Sequence, residues 1–202
     1  MMTHRCVVFL DKDGTLVENV PYNADPARLQ LAAGAAEGVQ RLHAAGYALA
    51  VVSNQAGVAH GVFPESALAS VEQRLRELLA RLGVPLAGFY YCPHHPAAEL
   101  APYRMRCGCR KPAPGLVLRA ARAHDADLAG SWMVGDILDD VEAGRRAGCR
   151  TVLVNSGGET EWTPGILRFP DYVAVDLAAA ARLIVAHDHL RWPQPKLARL
   201  AR

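Results

Sequence analysis

The segment from Phe9 to Leu16 reads FLDKDGTL: an apolar run ends in Asp11 and Asp13, and Gly14 and Thr15 follow. Side chains two apart on an extended chain point the same way, so both carboxylates can face one pocket while Lys12 faces away. Unpaired carboxylates at the edge of a core are costly, and a cation beside them is required. A carboxylate is also a competent nucleophile towards phosphorus, splitting a hard hydrolysis into two easier displacements through an aspartyl-phosphate. Two aspartates repel a phosphate dianion by roughly 4 kcal/mol per close pair at an effective dielectric of about 20. Cations must offset that repulsion. Mg²⁺ suits a site of hard oxygen ligands, namely the carboxylates of Asp11 and Asp136, a backbone carbonyl, phosphate and water. Lys111, in CRKPAPG, is the second cation, and Ser53 donates a hydrogen bond to the same phosphoryl group. Asp13 is left as general acid for the leaving alkoxide and general base for the attacking water.

A second group of ligand-type residues lies in CPHHPAAELAPYRMRCGCRKP, which starts at Cys92. Cys92, His94, Cys107 and Cys109 offer three thiolates and an imidazole in two short pairs, a closed tetrahedral set for structural Zn²⁺. His95 is the rival imidazole, and spacing alone gives only a lean between them. A metal there would fix the edge carrying Arg110 and Lys111, in a loop that packs no core of its own. The other two of the five cysteines, Cys6 and Cys149, sit among apolar or small neighbours and read as core residues. An odd count in a chain that reads as cytosolic argues against a disulfide framework.

These residues need a frame. Short apolar runs (CVVFL, YALAVVS, AGFYYC, SWMVG, TVLV) alternate with helical patterns, and a last strand and helix fall near Tyr172 to Ala186. The clearest helix carries Leu68, Val71, Leu75, Leu78, Leu79 and Leu82 at helical spacing. The alternation predicts an α/β fold, a mostly parallel sheet with helices on both faces. Ligands bind such sheets at the carboxyl ends of the strands, so Asp11, Asp13, Ser53 and Asp136 should converge. The stretch from Trp162 to Pro170 reads as a loop. With 202 residues, one domain is expected over 1–186, with a solvated tail over 187–202. Hydrophobic residues are 51% and charged residues 21%, and the net charge of +2 is interspersed, which speaks against disorder, membrane spans and nucleic-acid binding. The opening MMTHRCVVFL lacks a secretory apolar segment, so the cytoplasm is the expected compartment. No long apolar surface stripe is spare in the pattern, so a monomer is expected.

DKDGT, the Ser53 of VVSNQ, the Lys111 of CRKP, and GDILDD resemble, in order, the four motifs of the haloacid dehalogenase superfamily of phosphatases. The resemblance spans residues 11 to 140. It implies Asp11 as nucleophile, Asp13 as acid/base and as a carbonyl ligand of Mg²⁺, Ser53 and Lys111 as phosphate stabilisers, and Asp136 as a metal ligand. Asp140 is implied to stand behind the ligands, and Asp139 to be solvated. The cysteine loop is similar to that of the D-glycero-D-manno-heptose 1,7-bisphosphate 7-phosphatases, which favours His94 over His95 and implies substrate contacts from Asn19, Tyr22, Ser53, Asn54, Gln55 and Arg110. Histidinol-phosphate phosphatases share such a loop with fewer residues between its ligand pairs, and are the alternative; a non-catalytic zinc-stapled binding module is the remote one. One departure is His60, where the heptose enzymes resemble NQSGIARG with arginine. The motif spacing leaves no room for a cap domain, so loops should shape a site sized for a phosphorylated sugar, with Arg110 placed to bind its far end.

Overall fold

The computed structural model describes residues 6–160 and 162–191. Six parallel strands form one sheet: β1 (Val7–Leu10), β2 (Ala48–Asn54), β3 (Leu86–Cys92), β4 (Trp132–Gly135), β5 (Arg150–Val154) and β6 (Tyr172–Ala174), in the order β3-β2-β1-β4-β5-β6. Six helices accompany them: α1 (Ala35–Ala44), α2 (Ala56–Ala59), α3 (Ala67–Ala80), α4 (Gly115–Ala123), α5 (Leu138–Ala147) and α6 (Leu177–Arg191).

The period of two decides which face each strand residue serves. Val8 and Leu10 of β1 pack with Val39 and Leu42 of α1, Val71 and Leu75 of α3 and Ile184 of α6. Val7 and Phe9 join Leu116, Val117 and Ala120 of α4 on the opposite face. Both faces of β1 are therefore covered and its four residues are fully buried, as an uninterrupted apolar run demands. Leu68, Val71, Leu75 and Leu79 form the buried stripe of α3, while Leu78 and Leu82 lie at its margin. Helix α5 carries Asp139 and Asp140 in its first turn and Arg145 and Arg146 in its last, each opposing the local dipole charge, and it stops at Gly148 in the left-handed conformation.

Strand order reverses beside β1, and the Asp11 amide donates to the Val134 carbonyl of β4 at 2.9 Å. The carboxyl ends of β1 and β4 thus meet at the switch point, where doubly wound sheets hold ligands. Among the described residues there is no separate cap: the chain between β1 and α1 folds back on itself, with Val17 opposite Leu31.

Three differences from the sequence reading stand out. Helix α2 is only four residues long, too short for any hydrophobic period to announce it. Helix α6 runs on to Arg191, past residue 187 where the tail was placed, because its last turns find partners: the Tyr172 hydroxyl meets His187 Nδ1 at 2.8 Å, and the Tyr47 hydroxyl donates to Asp188. The rest of that tail, with Lys196 and Arg199, lies outside the described residues. Apolar surface is also less fully covered than the pattern suggests, since Trp162, Ile166, Phe169, Val173 and Val175 are exposed along the β6 edge.

Candidate active site

At the end of β1 the chain turns sharply through Gly14, whose φ of +79° favours glycine. A Cβ on Gly14 would stand 2.1 Å from Asp136 Oδ2, and one on Gly158, in the loop after β5, would stand 1.9 Å from the same atom. Two glycines therefore let backbone close around one carboxylate. The loop after β5 is held there by the Ser156 hydroxyl, which donates to the Gly14 carbonyl at 3.4 Å, and by Glu159, which accepts from the Leu138 amide at the start of α5 at 2.6 Å.

Asp11, Asp136 and Asp140 each bring a carboxylate oxygen to within 4.8 Å of the others, and all three are buried. Lys111 joins them from the loop before α4. Its ammonium is ion-paired with Asp11, lies 2.6 Å from Asp140 Oδ1, and donates to the Val52 carbonyl at 3.0 Å. Asp140, expected behind the ligands, is thus in direct contact with the lysine; it also accepts from the Ile137 amide at 3.3 Å, which ties it to the start of α5. Asp139 is not simply solvated, because Arg168 pairs with it at 3.0 Å.

Asp13 points into the neighbouring space. Lys12, expected to face away, turns its long side chain back so that Nζ lies 3.0 Å from Asp13 Oδ1. Alternation fixes where a Cβ leaves the chain, and four methylenes can undo it.

The electrostatics follow from burial. Asp136 is pushed up to about 8, by burial first and then by Asp11 and Asp140. Asp140 rises to about 7, again by burial, with Lys111 opposing. Asp13 rises to about 6, where burial outweighs the attraction of Lys12. Burial pulls the Lys111 ammonium down, but Asp11 and Asp140 outweigh it and hold its pKa above the usual lysine range. Four clustered carboxylates face two ammonium groups, so the centre takes up either protons or a further cation. The donor set is all hard oxygen, and the glycines at 14 and 158 bring backbone close to Asp136, which fits Mg²⁺.

A cavity of about 230 Å³ opens beside this centre, bordered by Asp13, Tyr22, Asn23, Asn54, Gln55 and Arg110. Of the residues expected to touch substrate, Tyr22, Asn54, Gln55 and Arg110 therefore line it. Asn19 is exposed and does not border the cavity. Ser53 is buried and accepts a hydrogen bond from Gln55 Nε2 at 2.8 Å. Asn54 has a role that spacing does not reveal: its side chain donates to the Lys111 carbonyl and accepts from the Lys111 amide, each at 3.0 Å. It clamps the backbone that delivers the lysine. Asn23 borders the cavity without having been singled out; no motif marks it.

The second cluster stands at the other side of Arg110. Cys92, Cys107 and Cys109 place their sulfurs 3.1, 3.2 and 3.5 Å apart, and His94 Nδ1 lies 3.7 Å from Cys92 and 3.5 Å from Cys109. Four donors about 2.3 Å from a common centre would be separated by roughly 3.8 Å, so the set can hold a tetrahedral metal ion after small adjustments. His95 is not in the cluster: its ring meets that of His60 at a tilt, with centroids 4.8 Å apart, and accepts from the Ala97 amide at 3.2 Å. His60 in turn meets the edge of Tyr22 at 6.0 Å. The loop is braced by Glu65, which accepts from the hydroxyls of Tyr91 at 3.1 Å and Tyr103 at 2.8 Å.

Buried carboxylates from adjacent strand ends, with a lysine crossing between them, thus share one centre at the rim of the parallel sheet. A profile described as HAD-hydrolase-like matches residues 108–180. The chain is 42% identical over 151 residues to the D-glycero-beta-D-manno-heptose-1,7-bisphosphate 7-phosphatase of Photorhabdus laumondii, covering 74% of this chain and 80% of that one. It is 38% identical over 172 residues to the enzyme of the same name from Escherichia coli K12, covering 85% and 89%. Among solved structures, the D,D-heptose 1,7-bisphosphate phosphatase of B. bronchiseptica, complexed with magnesium and phosphate, superimposes with a TM-score of 0.72 at 30% identity over 90% of this chain and 99% of that one. A putative HAD-like phosphatase from Mesorhizobium loti gives 0.75 at 33% identity over 90% and 88%. The chain belongs to the HAD-like phosphatases, in the family of the heptose-1,7-bisphosphate 7-phosphatases. It is a phosphoric monoester hydrolase.

Proposed function

We propose that this enzyme removes the 7-phosphate of D-glycero-β-D-manno-heptose 1,7-bisphosphate, with Mg²⁺ as cofactor and Asp11 as nucleophile. The observation that carries the reading is the Lys111 ammonium set between Asp11 and Asp140 with Asp136 in the same cluster, beside a cavity edged by Arg110. The names of its relatives supply the substrate, including the anomer.

The chemistry falls to particular residues. Arg110 binds the far phosphate with its planar fork and sets the 7-phosphate against Asp11. Asp11 attacks phosphorus, the ester P–O bond breaks, and the Asp13 carboxyl protonates the departing alkoxide. Asp13, now ionised, takes a proton from water as that water attacks the aspartyl-phosphate, which frees inorganic phosphate and restores Asp11. A pKa of about 6 suits a group that must both give and accept a proton near neutrality. Lys111 and Ser53 hold the phosphoryl oxygens through both steps. Mg²⁺, held by Asp11, Asp136 and the Asp13 carbonyl, would neutralise charge that the lysine leaves uncompensated. Zn²⁺ on Cys92, His94, Cys107 and Cys109 would keep Arg110 and Lys111 in place. Among the described residues no helix is long and apolar enough to cross a membrane; the reading is of a cytoplasmic monomer with one catalytic domain.

Phosphate release from the two anomers of heptose 1,7-bisphosphate and from histidinol phosphate tests this. The β anomer should lead by tenfold or more in kcat/KM, about 1.4 kcal/mol of transition-state binding. A tenfold lead for histidinol phosphate would overturn it.

A further inference from the structure

Lys12 is fully buried, beside the catalytic centre, and the steps above give it nothing to do. Its ammonium has two partners: Asp13 Oδ1 at 3.0 Å and the Asn23 carbonyl at 3.4 Å. Its own carbonyl accepts from the amides of Leu16 at 3.1 Å and Val17 at 2.9 Å, so the base of the side chain is as fixed as its tip. An ammonium taken wholly out of water is costly, and an ion pair of this kind is often replaceable by an apolar isostere without loss of stability. A stability role therefore does not account for it. The geometry does: the Lys12 stem returns to the one carboxyl that must reach the leaving group, and anchors it to Asn23, a buried residue that borders the cavity.

We infer that Lys12 is a positioning residue that holds the Asp13 carboxyl against the leaving-group oxygen and joins it to the Asn23 wall of the substrate cavity. This rests on the reading of Asp13 as general acid. A positioning role makes a demand that mere structural support does not, because it matters only when the leaving group needs a proton. An alkoxide from a sugar needs one; a nitrophenolate does not.

The test is rapid-quench formation of phosphoenzyme by wild type, Lys12→Met and Lys12→Gln, using heptose 1,7-bisphosphate and p-nitrophenyl phosphate, with Mg²⁺ present and folding checked by thermal melting. Both variants should phosphorylate at least about tenfold more slowly from the sugar ester, a part of the 10²–10⁴-fold that general acid–base catalysis supplies. With the aryl ester they should stay within about twofold of wild type. Lys12→Arg, which keeps the charge, should recover part of the loss on the sugar ester. Equal slowing on both esters, or no slowing on either, would overturn the positioning role. A wild type that forms no phosphoenzyme from either ester would overturn the hydrolase mechanism itself, and this inference with it.

Discussion

Asp11, Asp136 and Asp140 reach one centre from the ends of β1 and β4 and the first turn of α5, whereas Cys92, His94, Cys107 and Cys109 all belong to a single loop and its borders. The carboxylate centre is assembled by the sheet, sits in its core, and carries more acid than base. The thiol centre sits at the margin of the core, where Cys92 ends β3 fully buried and Cys107 and Cys109 pack beside it from the loop. Burial leaves the Cys92 thiol raised above the ordinary cysteine range, while hydrogen bonds from Cys109 and the Arg110 backbone hold Cys107 down at about 7 against the effect of burial. In the first region the fold brings the donors together and a cation would complete their charge; in the second a cation would tie the loop itself together. The two meet at Arg110 and Lys111, where the loop ends and the chemistry begins.

That contrast can be broken by removing one side chain from each. Lys111→Met should lower kcat by about 10²–10³-fold, the scale of a lost electrostatic stabiliser, with the cysteine metal content unchanged. His94→Ala should release the loop metal and lower Tm by roughly 10 °C, at about 2–4 °C per kcal/mol for a domain of this size. His95→Ala should keep the metal, since that ring packs against His60 outside the cluster. A single zinc per wild-type chain by elemental analysis, lost in His94→Ala and kept in His95→Ala, is the pattern expected.

The charge argument predicts a pH dependence. Asp13, Asp136 and Asp140 have folded pKa values of about 6, 8 and 7, above an unfolded value near 3.8. Between about pH 4 and pH 8 the folded metal-free protein therefore binds more protons than the unfolded chain, and its stability falls as pH rises. Mg²⁺ must displace those protons, so the rise in Tm on adding Mg²⁺ should be several degrees larger at pH 8 than at pH 6. A Mg²⁺ effect on Tm that shrinks between those values would contradict the account.

A smaller effect tests the junction. Asn54→Ala removes both clamps on the Lys111 backbone and should cost about 1–3 kcal/mol in transition-state stabilisation, seen as a fall in kcat/KM. The loop metal should remain.

Much of this was legible because the relevant signals are local. An apolar run ending in DKDG announces a buried strand with carboxylates at its carboxyl end, and two close pairs of metal-ligand residue types announce the cluster that gathers Cys92, His94, Cys107 and Cys109. Order along the chain then places Ser53 and Asp136 at or just beyond strand ends, with Lys111 in the loop between β3 and α4. What escaped depends on tertiary approach. Asn54 reads as one more polar residue after a strand until its amide is seen across from Lys111. Lys12 obeys the alternation at Cβ and departs from it at Nζ. Gly158 is one glycine of a loop in sequence, and only the Asp136 carboxylate beside it shows why a side chain would not fit.

The central claim is that Asp11 takes the phosphoryl group while Lys111 and a divalent cation share its charge. Rapid quenching of the Mg²⁺-loaded enzyme during turnover, then reduction with tritiated borohydride, which turns an acyl phosphate into a labelled alcohol and releases the phosphate, then peptide mapping, tests it most directly. The label should fall on Asp11 and vanish in a folded Asp11→Asn variant that has lost turnover by several orders of magnitude. A label on another residue, or turnover that survives in Asp11→Asn, would contradict it.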